Sequence, residues 1–118
     1  MMRGIRGAIC AEDDTKQAIF EATSRLLEEV LARNGLDEDS IVSILLTTTP
    51  DLTADFPAYA IRGNGLAGVP VLCASEINVP GAMPKVIRML VHAETELTRA
   101  QIKHVYLGDA ARLRPDLS

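Results

Sequence analysis

The sequence predicts an α+β fold, in which one domain contains a mixed β-sheet packed with one long helix and several short helices. Its 118 residues are the length of a single domain with one hydrophobic core. One segment near the N-terminus carries the 3.6-residue apolar period of a long amphipathic helix. Five other segments are short and rich in apolar or β-branched residues, as strands are. We therefore treat residues 1–118 as one domain.

Composition and charge exclude several classes of protein. The net charge of −4 argues against a nucleic-acid partner, because such a surface needs clustered Lys and Arg. The N-terminus has no apolar signal region, and no run approaches the ~18 apolar residues of a membrane span. We therefore expect a soluble, cytoplasmic protein without a membrane partner. Cys10 and Cys73 are the only cysteines, so neither a disulfide framework nor a cysteine zinc site is expected.

The first predicted strand is Arg3–Cys10. Strand alternation places Ile5, Gly7 and Ile9 on one face and Arg6 on the other, between small neighbours. Small neighbours leave room beside the cation for a small anion. The alternative is that Arg6 points into water from a half-exposed sheet.

The long helix follows this strand. Asp14 with Gln17 has the spacing of a capping box, and Asn34-Gly35 is a typical helix end. One apolar stripe is predicted to face the core, formed by Ile19, Ala22, Thr23, Leu26, Leu27, Val30 and Leu31. The next segment, Ile41–Thr49, is almost continuously apolar, which predicts a strand covered on both faces. Strand, helix and strand together favour parallel pairing with a right-handed crossover.

The middle of the chain is broken by prolines and glycines. Residues 50–57 form a predicted loop, and a short helix is expected from Pro57 to Arg62. Val69–Ser75 is the third predicted strand, followed by a Pro/Gly-rich connection at residues 78–84 and a fourth strand, Val86–Ala93. Arg88 lies inside this fourth strand. A buried arginine is costly unless an anion meets it, and both Glu76 and an anionic ligand could do so.

The C-terminal part contains a capping-box turn at Thr98–Gln101 and a last short strand, His104–Leu107, which carries Tyr106. The tail, Ala110–Ser118, is either a disordered end or a segment that folds over a pocket with Arg114.

No familiar catalytic motif is present in the sequence. His92 and His104 lack further ligands at metal spacing, and Cys73 lies in an apolar strand, where a small core residue is favoured over a nucleophile. What is left is a set of arginines in apolar settings with one carboxylate, one phenol and one thiol: Arg6, Arg62, Arg88 and Arg114, with Glu76, Tyr106 and Cys73. Such a set suits the binding of a small polyanion, or a reaction driven by orientation and charge stabilisation.

Several short motifs, in this order, resemble the monofunctional chorismate mutases of the trimeric α/β class. They are R-G-I-R-G-A at residues 3–8, T-P-D-L at 49–52, F-P-A at 56–58, P-V-x-C-x-x-E at 70–76, I-R at 87–88, H-V-Y-L at 104–107 and L-R-P-D-L at 113–117. The resemblance covers essentially the whole chain. It implies a homotrimeric pseudo-α/β-barrel, related to the ferredoxin-like fold, with active sites between subunits and no metal or cofactor.

The same resemblance implies an enzyme that rearranges chorismate to prephenate in aromatic amino-acid biosynthesis. Arg6 would bind a substrate carboxylate, and Arg88 would meet the ether oxygen as it becomes negative. Glu76 and Cys73 would contact the end of the substrate that bears the ring hydroxyl. The remaining residues would line or cover the pocket: Phe56, Arg62, Tyr106 and Arg114. Tyr59 departs from the family pattern, because some members have a lysine there.

Two alternatives belong to other classes. One is a trimeric small-anion-binding or imine/enamine deaminase-type protein of a related fold, which needs a carboxylate-binding arginine but not Glu76 together with Arg88. The other is a non-catalytic module that senses an anionic metabolite.

Overall fold

A computed structural model describes residues 1–117 and confirms the α+β fold, with the ends of the strands and of the two α-helices within two residues of those predicted. The strands are β1 (Met2–Cys10), β2 (Ile41–Thr48), β3 (Val71–Ser75), β4 (Val86–Glu94) and β5 (Val105–Tyr106). The helices are α1 (Lys16–Asn34) and α2 (Ala58–Gly63), with 3₁₀ turns at Glu38–Ser40, Arg99–Gln101 and Gly108–Leu113. Of the predicted tail, Ser118 lies outside the described residues.

The five strands form one mixed sheet in the order β3-β2-β4-β1-β5. The predicted parallel pairing of β1 with β2 is wrong, because β4 lies between them and is antiparallel to both. The physical reason is length: β4 pairs with β1 along nine positions, from Met2 opposite Glu94 to Cys10 opposite Val86. That edge of β1 is therefore fully used, and its other edge accepts β5 in parallel.

Helix α1 packs on one face of the sheet and buries the predicted stripe, of which Leu31 alone is only partly buried. Close approach depends on Gly7, because a Cβ there would lie 3.0 Å from Leu26 Cδ1 and 3.2 Å from Val30 Cγ2. Each large apolar side chain fully buried in this layer contributes about 1.5–3 kcal/mol. Among the residues described, neither helix combines the length and apolarity needed to cross a membrane.

The start of α1 differs from the prediction. Thr15 is the N-cap, and its hydroxyl oxygen accepts the Ala18 N–H at 3.0 Å. Asp14 instead accepts the N–H groups of Thr53 and Ala54, at 2.9 and 3.0 Å, and these bonds lower the pKa of its carboxyl group. The carboxylate satisfies loop amides that no strand pairs with, so a neighbouring loop competes with the helix for Asp14. The predicted C-terminal end is confirmed, with Gly35 in the left-handed region at φ 61°.

Within residues 1–117, no helix covers the other face of the sheet, and we call it the open face. Its positions follow from strand alternation and register, and they are Gly4, Arg6, Ala8, Ser43, Leu45, Thr47, Leu72, Ala74, Arg88, Leu90, His92 and Tyr106. The prediction that β2 is covered on both faces is wrong for a single chain, since Leu45 is 40% exposed. Its neighbour Leu72 is 66% exposed. An apolar run predicts that a strand is buried, but it does not indicate whether the same chain or another subunit covers it.

Candidate active site

Arg88 and Glu76 meet on the open face of the sheet. Arg88 projects from β4, and Glu76 follows the last residue of β3. The Arg88 Nε atom donates to both carboxylate oxygens of Glu76, at 3.1 and 3.2 Å. Of the two anions that the sequence allows for Arg88, Glu76 is the one that the chain itself provides.

Glu76 is held at three points. Its N–H donates to the Thr48 carbonyl at 2.8 Å, which extends the pairing of β2 with β3 by one residue. The Thr47 hydroxyl donates to Glu76 Oε2 at 2.7 Å, and Arg88 provides the third contact. The Glu76 side chain is consequently only 17% exposed, whereas Arg88 is 45% exposed.

This arrangement uses one side of the Arg88 guanidinium group, through Nε. Within residues 1–117, its hydrogen bonds run through Nε, and no protein acceptor is found for its terminal nitrogens. Arginine presents its N–H groups in a rigid planar fork, so fixing Nε also fixes the direction of the terminal N–H groups. The arrangement can therefore present a fixed cation to a ligand lying on the open face.

Arg6 and Tyr106 lie beside Arg88 on the same face. Ala8 is the register partner of Arg88 on one side and of Tyr106 on the other, so a small side chain separates the two large ones. Arg6 is two residues from Ala8 on β1, and its N–H donates to His104 Nδ1 at 2.9 Å. Burial lowers the pKa of His104, and the charges of Arg6 and Arg114 lower it further. At neutral pH the ring is therefore uncharged and can accept the Arg6 N–H.

The C-terminal segment places Arg114 near this group. After the 3₁₀ turn at Gly108–Leu113, Arg114 donates to both oxygens of Asp116, at 3.0 and 2.8 Å. The pKa of Asp116 is lowered by these hydrogen bonds first, and the charge of Arg6 contributes to the same shift. Of the two interpretations of the tail, the structure through Leu117 supports the one in which it folds back towards the site.

Phe56, Arg62 and Cys73 belong to a second group, which we call the α2 group. The Phe56 and Tyr59 rings pack edge to face with centroids 6.0 Å apart, and the Arg62 guanidinium lies 5.3 Å from the centre of the Tyr59 ring. The ring of Tyr59 thus contacts a neighbouring cation. Phe56 and Cys73 also line a cavity of about 410 Å³ at the ends of β2 and β3.

Cys73 faces away from the Arg88–Glu76 pair. Its register partner is Leu46, which is buried under α1, whereas Glu76 is bonded to Thr47 on the open face. Burial raises the pKa of the Cys73 thiol, so the neutral form dominates at pH 7 and a nucleophilic role is disfavoured. In one chain, the structure therefore brings Arg6, Glu76, Arg88, Tyr106 and Arg114 to one region and leaves the α2 group in another.

A cavity of about 770 Å³ lies elsewhere, between the end of β1, α1 and the C-terminal segment. Its charged lining includes Glu21, Arg25, Lys85 and Arg112, and it contains none of the predicted site residues. Neither of these two cavities encloses Arg88, because the Arg88–Glu76 pair lies on an exposed sheet face. Within residues 1–117 there is no cluster of three side chains suited to hold a metal ion.

Three residues of this region are absent from the sequence-predicted site. Thr47 lies in an apolar run, His104 is interpreted as an ordinary sheet histidine, and Asp116 lies in the tail. Of these three residues, only Thr47 could have been placed from the sequence, because strand alternation puts it on the face opposite to the buried Leu46. The contacts of His104 and Asp116 depend on how β5 and the tail return to β1.

Comparison with known proteins identifies the class. A family model described as type I chorismate mutase matches residues 2–117. The chain is 48% identical to the chorismate mutase AroH of Thermus thermophilus, over 99% of this chain and 97% of that protein. It is 44% identical to the chorismate mutase AroH of Bacillus subtilis, over 100% of this chain and 94% of that protein. The chain therefore belongs to the type I chorismate mutases and has chorismate mutase function.

A solved structure supports the same assignment. The fold matches that of a chorismate mutase from Clostridium thermocellum with a TM-score of 0.92 and 44% identity. The match covers 93% of this chain and 98% of the other. The protein is accordingly an enzyme of the isomerase class acting in aromatic amino-acid biosynthesis, and the anion-binding or deaminase-type alternative is not favoured.

Proposed function

We propose that the open face around Arg88 converts chorismate to prephenate, in a cleft that a second subunit of a homotrimer completes. The observation that carries this proposal is the guanidinium of Arg88, which Glu76 holds through Nε while the side chain stays 45% exposed. The reaction is an intramolecular Claisen rearrangement, in which a C–O bond breaks as a C–C bond forms.

This chemistry needs neither a nucleophile nor a cofactor. The substrate must be held in the compact conformer in which the reacting carbons lie close together, and negative charge grows on the ether oxygen as the C–O bond breaks. A cation already fixed beside that oxygen stabilises the transition state without reorganising. Arg88 fills this role in the proposal, because Glu76 and Thr47 fix its position before substrate binds.

The other residues on the open face would bind the rest of the substrate. Tyr106 faces Arg88 across Ala8, Arg6 lies two residues from Ala8 on β1, and both are suited to bind a substrate carboxylate. Arg114, which pairs with Asp116 in the C-terminal segment, would close the site as a cationic wall. Glu76 contacts Arg88 and would also face the end of the substrate that bears the ring hydroxyl.

A second subunit is proposed for two reasons. First, Leu45 and Leu72 form an exposed apolar surface beside the Arg88–Glu76 pair, and such surfaces in soluble proteins commonly mark contacts between chains. Second, the α2 group lies on the other side of the sheet from Arg88, so Phe56, Arg62 and Cys73 can reach the substrate only if another chain supplies them. A homotrimer would supply each site with both groups.

The proposal is tested with purified protein and chorismate. We expect ultraviolet absorbance of chorismate to fall, prephenate to appear in equal amount, and sedimentation to give three times the mass of one chain. No turnover at micromolar enzyme would overturn the proposed reaction, and an active single chain would overturn the shared cleft. A cytoplasmic location belongs to the same proposal, and fractionation of cells that make the protein would test it.

A further inference from the structure

We infer that Thr47 is a positioning residue: its hydroxyl orients the Glu76 carboxylate and thereby fixes where Arg88 presents its charge. This inference rests on the proposed function of the open face. It adds a residue that would contact no substrate and act through Glu76.

The position of Thr47 in the sheet makes this role possible. Thr47 lies on β2, between β3 and β4, and is the register partner of Ala74 on one side and Arg88 on the other. Its hydroxyl donates to Glu76 Oε2 at 2.7 Å, within the range of short hydrogen bonds to a charged acceptor. The carboxylate is thus bonded by Thr47 and by Arg88, from two neighbouring strands.

The ion pair alone would hold this geometry poorly. Arg88 is 45% exposed, and pairs with such exposure gain little over hydration by water. Glu76 lies beyond the end of β3, and the next residue, Ile77, is 87% exposed. The Thr47 hydroxyl supplies a bond that is independent of the arginine and favours one orientation of the carboxylate.

The branched side chain of threonine adds to this effect. Two heavy atoms on Cβ restrict χ1, so the hydroxyl is directed with less loss of rotamer freedom than in serine. Serine would still supply the donor, whereas valine would keep the shape and lose it. The expected order of turnover is therefore threonine, then serine, then valine.

The first experiment measures kcat and KM for chorismate in Thr47→Val and Thr47→Ser. We expect Thr47→Val to lower kcat about tenfold with KM within about threefold, since misplacing a catalytic group by ~1 Å costs up to about 100-fold. Thr47→Ser should recover kcat to within about threefold of wild type. The control is Ser40→Ala, which also removes a hydroxyl that donates to a carboxylate, that of Asp37 at 2.9 Å, but in the turn before β2 and away from the open face, and it should leave kcat unchanged.

A double-mutant cycle separates positioning from a general structural role. In a Glu76→Ala background, Thr47→Val should change kcat by less than about twofold, because the hydroxyl no longer has a carboxylate to orient. If Glu76→Ala turns over too slowly to measure, crystal structures of Thr47→Val and Thr47→Ser distinguish a positioning role of Thr47 from a general structural role. We expect the carboxylate to leave Arg88 Nε in the valine variant and to keep its place in the serine variant.

Three results would overturn the inference alone: an active wild type whose Thr47→Val variant keeps full kcat, an equal loss in the Glu76→Ala background, or a slow valine variant with an unmoved carboxylate. Circular dichroism melting of each variant excludes unfolding as the cause of a loss. An inactive wild-type protein would overturn the proposed function and this inference with it.

Discussion

The two faces of the sheet are built from alternate residues of the same strands, yet they differ in burial and in the kind of contact that their side chains make. On the face under α1, side chains such as Ile5, Ile87 and Leu26 are fully buried in a single apolar core. On the open face, Arg88, Glu76 and Thr47 bond to one another while Leu72 stays exposed. The covered face is complete within one chain. The open face has its charges arranged and its apolar surface uncovered, as expected of a surface that meets a ligand and another subunit.

The two faces also differ in what their contacts contribute. Burial of apolar area on the covered face is the main stabilising term in a domain of this size. An ion pair as exposed as Arg88–Glu76 typically contributes at most about 1 kcal/mol. The pair therefore matters chiefly for where it puts charge, and the predictions below separate stability from turnover.

The largest effect on turnover is expected for Arg88→Gln. We expect kcat to fall at least ~10³-fold, about 4 kcal/mol, because the variant loses the charge that meets the developing oxyanion. The melting temperature should stay close to that of wild type, as the arginine side chain is half exposed. Steady-state kinetics with chorismate and thermal melts measure both quantities.

Arg33→Gln is the matched control for that variant. Arg33 is also an exposed arginine whose Nε pairs with a carboxylate, that of Glu29 at 2.8 Å, but it lies on α1 away from the open face. Its kcat should equal that of wild type. Near-full turnover in Arg88→Gln would show that charge stabilisation is the wrong mechanism.

Leu26→Ala tests the covered face. Leu26 is fully buried against Gly7, so we expect the free energy of unfolding to fall by about 2–5 kcal/mol through lost burial and a new cavity. Leu31→Ala makes the same change on the same helix at a partly buried position and should cost about 1 kcal/mol. Urea denaturation measures the free energy of unfolding of both variants. Equal losses of stability would mean that burial within a single chain does not predict which of the two leucines contributes more.

Leu72→Glu tests whether the open face is covered by another subunit. The side chain is 66% exposed in the single chain, so the fold should persist, while a charge buried between subunits should weaken association by at least ~2 kcal/mol. Sedimentation velocity should then show smaller species, with turnover lost in parallel. Ala32→Glu adds the same charge on the exposed side of α1 and should leave both unchanged. Intact, active trimers of Leu72→Glu would place the subunit contact elsewhere.

The smallest effect concerns pH and His104. The pKa of His104 is lowered from 6.5 in the folded protein, so below pH 6.5 the unfolded chain binds more protons than the folded one. Stability should therefore be fully present above pH 6.5 and decrease as pH falls towards the folded-state pKa. Urea midpoints between pH 7.5 and 5 measure this loss. His104→Asn keeps an acceptor for the Arg6 N–H without titrating, and an undiminished pH dependence in that variant would assign the loss to another group.

Several features of the site could be predicted from local patterns. Strand alternation predicts that Arg6 lies between small residues. The apolar sequence around Arg88 predicts an anionic partner, and Glu76 is that partner in the structure. Register could not be predicted, because the parallel pairing expected of β1 and β2 is replaced by the insertion of β4. Without that register, the row of Thr47, Arg88, Ala8 and Tyr106 across four strands is not visible in the sequence.

Local patterns alone determined which segments are strands and helices and which face of α1 is buried, because periodicity and turn residues act within a few positions of the chain. Only the tertiary structure decided that Asp14 satisfies a loop while Thr15 caps the helix, and that Cys73 lies on the opposite side of the sheet from Glu76. Those outcomes depend on which distant backbone and side-chain groups compete for the same donor, acceptor or strand edge, and that competition is settled only when the whole sheet has formed.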